Sequence, residues 1–297
     1  MMLNAKLSRH ARYGLFLVPA LVAYTLFTVY PMVRTFVYSL TNFNGMSRQM
    51  SFVGFSNYAL VFRDDAIVAA LLFTLFYTVF SVAVITLLAI PLALALDLNS
   101  YTKHMQRAVF FFPSIPSGLL LGYIWGFILS PISSGVLNRI LNALFHMKPV
   151  AWLSDPLLAK ISSVIVHVWS STGWHAILYL AFLQSIPKDY YEAASIDGAS
   201  RWQRVRFITL PLLAPAMTVS VMLLITGSLK VFEIPFALTK GGPGYETYTI
   251  TQVIITRGVS ELQYGKASAM SIIFFLCILL ITFVQFGKMQ KREENLQ

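Results

Sequence analysis

Six stretches of the chain, at about residues 13–38, 67–96, 108–130, 157–183, 210–238 and 267–286, are apolar over a length that crosses a hydrocarbon core. Such a crossing takes about 20 helical residues for a core about 30 Å thick. This repetition restricts the fold more than any other feature. A bilayer offers no water to unpaired backbone groups, so a spanning segment closes its hydrogen bonds as a helix or within a closed barrel. The runs are continuous rather than alternating, which excludes a membrane barrel. The expectation is an all-α polytopic membrane protein with six transmembrane helices. A content of 57% hydrophobic and 11% charged residues is too apolar for a soluble chain of 297 residues.

The net charge of +10 does not point to nucleic acid, because Lys and Arg sit between apolar runs rather than forming a face. They serve instead as topology signals. With the N-terminus in the cytoplasm, that side holds Lys6, Arg9, Arg12, Lys103, Arg107, Lys188, Arg201, Arg204, Arg206, Lys288, Lys291 and Arg292. The outer side holds Arg48, Arg63, Arg139, Lys148, Lys160, Lys240, Arg257 and Lys266, spread over longer loops. Both termini are therefore expected inside. The run 13–30 behind Lys6, Arg9 and Arg12 is too long for a signal-peptide core and lacks a small-x-small cleavage site, which predicts an uncleaved first span. Cys277 is the single cysteine, so neither an intrachain disulfide nor a thiol metal site is available.

The outer loops 131–156 and 239–266 are long and rich in Gly, Pro, Asn, Ser and Tyr, and the run Thr239-Lys240-Gly241-Gly242-Pro243-Gly244 must turn sharply. They are either connectors or a surface for an extracytoplasmic partner. Pro113, Pro116, Pro211 and Pro215 are placed in first turns of helices, where a missing N–H costs little. Pro235, near the outer end of the fifth span, is expected to break or kink it.

Residues 184–211 carry the strongest local signals. Ser185 and Pro187 supply helix-start chemistry, and Asp189 and Glu192 suit the positive end of the helix that follows. Gly198 can take a left-handed cap, and Ser200-Arg201-Trp202-Gln203 has capping-box spacing. The result is a helix–turn–helix on the cytoplasmic surface. Its first helix is too short to be stable in water alone, and Ala193 and Ala194 permit close approach, so a partner surface is implied.

Glu192-Ala193-Ala194, Gly198, Ile208 and Leu210-Pro211 reproduce the spacing of the EAA motif, and the chain resembles the permeases of binding-protein-dependent ABC importers. The segment Tyr191-Glu192-Ala193-Ala194-Ser195-Ile196-Asp197-Gly198-Ala199 is most similar to the carbohydrate branch. So are 52–58 (Phe-Val-Gly-Phe-Ser-Asn-Tyr), Phe232-Glu233 and Thr239-Lys240-Gly241-Gly242-Pro243. The resemblance implies one permease domain (1–297) of type I importer fold in the bacterial plasma membrane. It carries a coupling loop (184–209) whose first helix enters a cleft on a cytoplasmic ATPase dimer, with Glu192 meeting a basic group there. Tyr191, Glu192, Ala193, Ala194, Ile196, Asp197 and Gly198 are the expected coupling residues. It further implies a second permease subunit, an extracytoplasmic solute-binding protein and a sugar substrate.

The sequence Gly-x-x-x-x-Gly-Lys-Ser/Thr does not occur, and Gly265-Lys266 is followed by Ala267. ATP and Mg are therefore expected on the separate ATPase chain, with no cofactor on this one. No nucleic-acid partner is expected, and membrane lipid surrounds the spans.

Span 4 combines Trp169, Ser170, Ser171, Thr172, Gly173, Trp174 and His175, a texture suited either to helix packing or to a transport pathway. His167 and His175, eight residues apart on one helix, are too distant for joint metal ligation and are assigned to packing. In span 5, Lys230 and Glu233 have the spacing of a helix-surface pair, and charges at membrane depth face a bundle interior. The resemblance places substrate contacts near Ser171, Trp174, Gly227, Ser228 and Val231, with Lys230 and Glu233 beside them. A carrier of glycerol phosphate or another non-sugar solute is the alternative within the class. A membrane enzyme would need a reactive cluster in a span, and no nucleophile-and-base set or carboxylate pair is present. A gradient-driven carrier would lack the ATPase partner.

Overall fold

The computed structural model describes residues 14, 16–47, 49–98, 101–133 and 135–294, the side chains of 288–294 excepted. Lys6, Arg9, Arg12 and Arg48, counted among the topology signals, lie outside the described residues, as do the side chains of Lys288, Lys291 and Arg292. The described residues are helical, with one isolated bridge between Thr41 and Phe52.

The helices are α1 (Phe16–Ser39), α2 (Ser56–Val61), α3 (Asp65–Asp97), α4 (Lys103–Ser114), α5 (Gly118–Ile128), α6 (Val136–Phe145), α7 (Pro156–Leu183) and α8 (Asp189–Ile196). They continue as α9 (Arg201–Leu212), α10 (Ala214–Leu229), α11 (Glu233–Thr239), α12 (Ile250–Ile255) and α13 (Tyr264–Glu294). Among the described residues, three are long and apolar enough to cross a membrane singly: α1, α3 and α13 over Tyr264–Gly287. Two bent pairs, α4 with α5 and α9 with α10, raise that number to five. Helix α7 has 28 residues, about 42 Å at 1.5 Å per residue; the serines and histidines of its middle dilute its apolarity.

Two of the expected spans are not straight helices. The run 108–130 bends by 90° between Ser114 and Gly118. Pro113 and Pro116 supply no N–H to continue the ladder, and Ser117 restarts the helix by accepting from the Leu120 N–H at 3.3 Å. Pro116 thus lies in the bend rather than in a first turn. The run 210–238 bends by 64° at Leu213, just before Pro215, and stops again at Lys230. Pro235 does not make that second break. It is the third residue of α11, where its missing N–H costs little, and the interruption falls at Lys230–Phe232, with Phe232 at φ −143° and ψ −53°.

The chain forms two compact units: residues up to Asp64 with Ile254–Phe275, and Asp65–Val253 with Leu276 onward. In the first, α1 is apolar and almost wholly exposed. The loop after it is closed by Asn57, whose Nδ2 donates to the Ser39 and Thr41 carbonyls at 2.8 Å each, while the Tyr58 and Ser39 hydroxyls pair at 2.8 Å. The 52–58 motif therefore builds this turn. Asp64 accepts from Lys266 Nζ at 2.5 Å and from Arg257 at 3.0 Å, and Arg257 also pairs with Glu261.

In the second unit α3, α7 and α10 pack through small residues. Ala89, Ala93, Ala176 and Ala216 are fully buried among Ile85, Tyr179, Leu180, Leu183 and Leu213. Without a hydrophobic drive between helices in lipid, close approach through small side chains is what supplies packing contacts. Leu129, Val166, Ile234 and Leu238 form another cluster, which holds α11 against α5 and α7.

Candidate functional site

Two regions have the chemistry of a functional site, and both belong to the second unit. The first is the helix–turn–helix. α8 runs Asp189–Ile196, with Asp197 as its cap and Gly198 at φ +78°. The Ala199 N–H reaches the Ala194 carbonyl at 2.9 Å and the Gly198 N–H reaches Ser195 at 3.2 Å, which together are the paired bonds of a Schellman turn. Ser200 and Gln203 then exchange bonds at 2.7 and 3.3 Å in a capping box that starts α9. At the other end the expectation fails. Lys188 is the N-cap of α8 and makes no side-chain cap bond, because the Ser185 hydroxyl donates to the Phe182 carbonyl at 2.7 Å, back into α7.

The loop is held from behind and open in front. Ile186 packs on the α3–α7–α10 core, the Tyr191 hydroxyl meets Thr209 Oγ1 at 3.1 Å, and Arg204 Nη1 donates to Ser195 Oγ at 2.8 Å. Glu192, Ala193, Asp197 and Gly198 are exposed, and Ile196 is 87% exposed. A short helix held by its neighbours thus presents an apolar side chain to the outside on a fixed frame.

The second region is a cavity of about 320 Å³ at the 90° bend, where the α4–α5 corner meets the middle of α7. Ser114, Pro116 and Gly118 come from the corner; His167, Ser170, Ser171, Trp174 and His175 come from α7; Ile234 comes from α11. Its size is that of a small-ligand pocket. The lining mixes serine, histidine and Trp174 side chains with Pro113, Pro116, Leu121 and Ile234, and contains no Asp, Glu, Lys or Arg. The Ser114 and Ser170 hydroxyls donate to the Phe111 and His167 carbonyls at 2.7 and 3.0 Å. A larger groove, about 1040 Å³ along α3, α4 and α7, is almost wholly apolar and offers a polar solute few partners.

Of the expected pathway residues, Ser171 and Trp174 line this cavity. Glu233 stands beside it, close enough to Gly118 that a β-carbon there would lie 2.6 Å from Oε2. A carboxylate at the first residue of α5 suits the positive end of that helix. The Lys230–Glu233 helix-surface pair does not form: Lys230 caps α10, Glu233 begins α11, and the chain turns between them. Ser228 is buried with an unpaired Oγ, Val231 packs with the Phe73, Tyr77 and Val164 cluster, and Gly227 faces open space. Ser114 and Gly118 were not legible as site residues, since only the bend brings them to α7. The histidines do make packing contacts, His167 stacking on Tyr77 at 5.1 Å, yet both also line the cavity.

Residues 15–287 match the family described as binding-protein-dependent transport system inner membrane component. The chain belongs to that family. It is 35% identical to the trehalose/maltose transport system permease protein of Thermococcus litoralis, over 95% of each chain. It is 33% identical to a probable starch degradation products transport system permease protein of Thermoanaerobacterium thermosulfurigenes, over 95% of this chain and 94% of that one. A bacterial alginate ABC transporter, solved in complex with an alginate pentasaccharide-bound periplasmic protein, contains a chain with the same fold. It matches at TM-score 0.86 and 24% identity, covering 97% of both. The protein is therefore a membrane-embedded ABC importer permease of all-α fold, a transport subunit rather than an enzyme, and it works with a solute-binding protein. The ATPase resides on a separate chain.

Proposed function

We propose that this permease imports a sugar or oligosaccharide by alternating access, with six spans and both termini in the cytoplasm. The uncharged cavity at the α4–α5 bend, with the Ser171 hydroxyl and the Trp174 ring on its wall, carries the reading. Sugars present hydroxyls along their edges and apolar C–H faces, which serine and indole match. Relatives named for trehalose and maltose, for starch degradation products and for lactose support it. Glycerol phosphate would call for cationic groups, and none lines the cavity.

Coupling is assigned to α8. Tyr191, Glu192, Ala193, Ala194, Ile196, Asp197 and Gly198 dock into a cleft of a cytoplasmic ATPase dimer, on which ATP and Mg reside. Closure of that dimer moves the loop as a unit through Ile186 and Thr209, and the spans of this chain and of a second permease rock to open the site outward. The test is ATP-dependent uptake into proteoliposomes of the assembled transporter, with labelled maltose, trehalose, lactose, glucose and glycerol 3-phosphate. Uptake of a carbohydrate and not of glycerol 3-phosphate is expected; the reverse pattern would sink the sugar reading.

A further inference from the structure

We propose that α9 is a binding site for an anionic phospholipid: Arg201 and Arg206 hold the headgroup phosphate, and an acyl chain lies in the groove between α9, α10 and α3. The site is independent of which solute is carried. α9 (Arg201–Leu212) meets α10 at 64°, so with α10 crossing the bilayer it lies nearer to the membrane plane than to the normal. A helix so placed sits at the level of the headgroups. Its composition suits them. It has three arginines and no Asp or Glu, and its Trp202 and Phe207 are 67% and 68% exposed.

Of the three arginines Arg204 is engaged, its Nη1 donating to Ser195 Oγ at 2.8 Å. Arg201 and Arg206 are exposed, and among the described residues no carboxylate pairs with either. The Arg206 guanidinium lies 5.6 Å from the centre of the Phe207 ring. Arg201, at the first position of α9, opposes the helix dipole and so does not serve the stability of α9 itself. Each of the two stands one turn from a residue of the groove wall, Arg201 from Val205 and Arg206 from Trp202.

The groove measures about 590 Å³, with Leu87, Ile90 and Leu94 of α3, Trp202 and Val205 of α9 and Val221 of α10 on its walls and no charged side chain in its lining. Its α3 wall covers residues 82–94, about 18 Å of helix rise, against roughly 15 Å for the depth of one leaflet. Along the opposite wall the lining passes from Trp202 to Val221, which sets the arginines at one end of an apolar slot. An apolar helix from another subunit would leave the two guanidinium groups unanswered. A phospholipid answers both parts, its phosphate taking paired N–H bonds from arginine and its chain filling the slot.

The test uses the complete permease–ATPase complex in phosphatidylcholine nanodiscs that contain a varied fraction of phosphatidylglycerol or phosphatidylcholine with brominated acyl chains. Bromine quenches an indole that it touches, and the difference between wild type and Trp202→Phe isolates Trp202. An arginine near the surface is worth about fivefold toward an anionic lipid. Half-maximal quenching is therefore expected at a fraction of phosphatidylglycerol about twentyfold lower than that of phosphatidylcholine. Arg201→Gln and Arg206→Gln each reduce the preference to about fivefold, the double variant removes it, and the Arg→Lys versions retain most of it. Equal quenching by the two lipids in wild type, the mark of unselective lipid contact, would overturn the proposal, as would a preference that survives in the double variant. Quenching by neither lipid overturns it in favour of a protein occupant, the second permease or the ATPase. Should the Gln variants fail to assemble, wild type decides: the preference collapses at high salt, and one that salt leaves unchanged overturns the assignment to arginine.

Discussion

The backbones of Gly173 on α7 and Phe110 on α4 meet so closely that a β-carbon on Gly173 would stand 1.7 Å from the Phe110 carbonyl oxygen. This contact sets α4 against the middle of α7, immediately beside the Ser171–His175 wall of the cavity. Overfilling a packed site ordinarily costs about 1–3 kcal/mol. Here the obstacle is backbone rather than a movable side chain, so Gly173→Ala is expected at the upper end, about 3 kcal/mol. The thermal midpoint of the detergent-solubilised protein measures it. Gly126→Ala, inside α5 with nothing within 4 Å, is the control and does not lower the midpoint, since alanine is favoured over glycine by about 1 kcal/mol in a helix.

Gly198 is exposed and has open space around it, so a substitution there acts through conformation alone. A β-branched residue at φ +78° costs about 1–2 kcal/mol, enough to dissolve the Schellman turn at the end of α8. Gly198→Val, and less strongly Gly198→Asp, are expected to leave membrane insertion intact and to reduce binding-protein-stimulated ATP hydrolysis. Gly198→Asn, whose side chain tolerates the left-handed region, retains more of it. Equal stimulated hydrolysis in all four proteins would count against the coupling assignment.

Asp64 is nearly buried between Lys266 and Arg257. Burial raises the pKa of its carboxyl, but hydrogen bonds and charge from Lys266 and Arg257 outweigh that and hold it below the ordinary carboxylate range. A carboxylate depressed in the folded state adds stability that is complete above its unfolded pKa and is lost as pH falls through its folded pKa. Thermal midpoints should therefore decline as pH is lowered through the acidic carboxylate range, and less so in Asp64→Asn. At neutral pH that variant is expected to lose about 1.5–3 kcal/mol, the worth of a charged hydrogen bond.

Asn138 organises the loop around α6. Its Nδ2 donates to the Ser130, Ile132 and Val150 carbonyls at 3.2, 3.3 and 3.0 Å, and its Oδ1 accepts from the Val150 N–H and the Trp152 indole at 3.0 Å each. Asn138→Ala leaves several of these groups unpaired at about 1–3 kcal/mol apiece where water does not reach them. Limited proteolysis of proteoliposomes should then cut within 131–155 at protease concentrations that leave the wild-type loop intact. Asn142→Ala, on the exposed side of α6 with a single bond to the Met147 carbonyl, should not change the pattern.

The amino-acid sequence by itself determined the all-α membrane fold and the helix–turn–helix after α7, because both are written in neighbouring residues. Apolar length makes a span, and Gly198 with Ser200 makes a turn whose bonds all lie within a few positions. Even there the start of α8 departs from the local pattern, since Ser185 turns back to Phe182 instead of forward. The two bends were legible only as prolines: Pro113 and Pro116 marked a place where the ladder fails, but not the direction of the 90° turn that follows. That turn, chosen by how α4 and α5 pack on α7 and α11, brings Ser114 and Gly118 to Ser171, Trp174 and the two histidines. The same packing separates Lys230 from Glu233, which spacing alone had paired on one helix. The Ser81 and Ser220 hydroxyls that meet His167 and His175 stand 86 and 45 positions away along the chain. A helical period says which side of α7 a residue occupies and nothing about the helix that will face it, so only the tertiary structure decided where the cavity lies and what lines it.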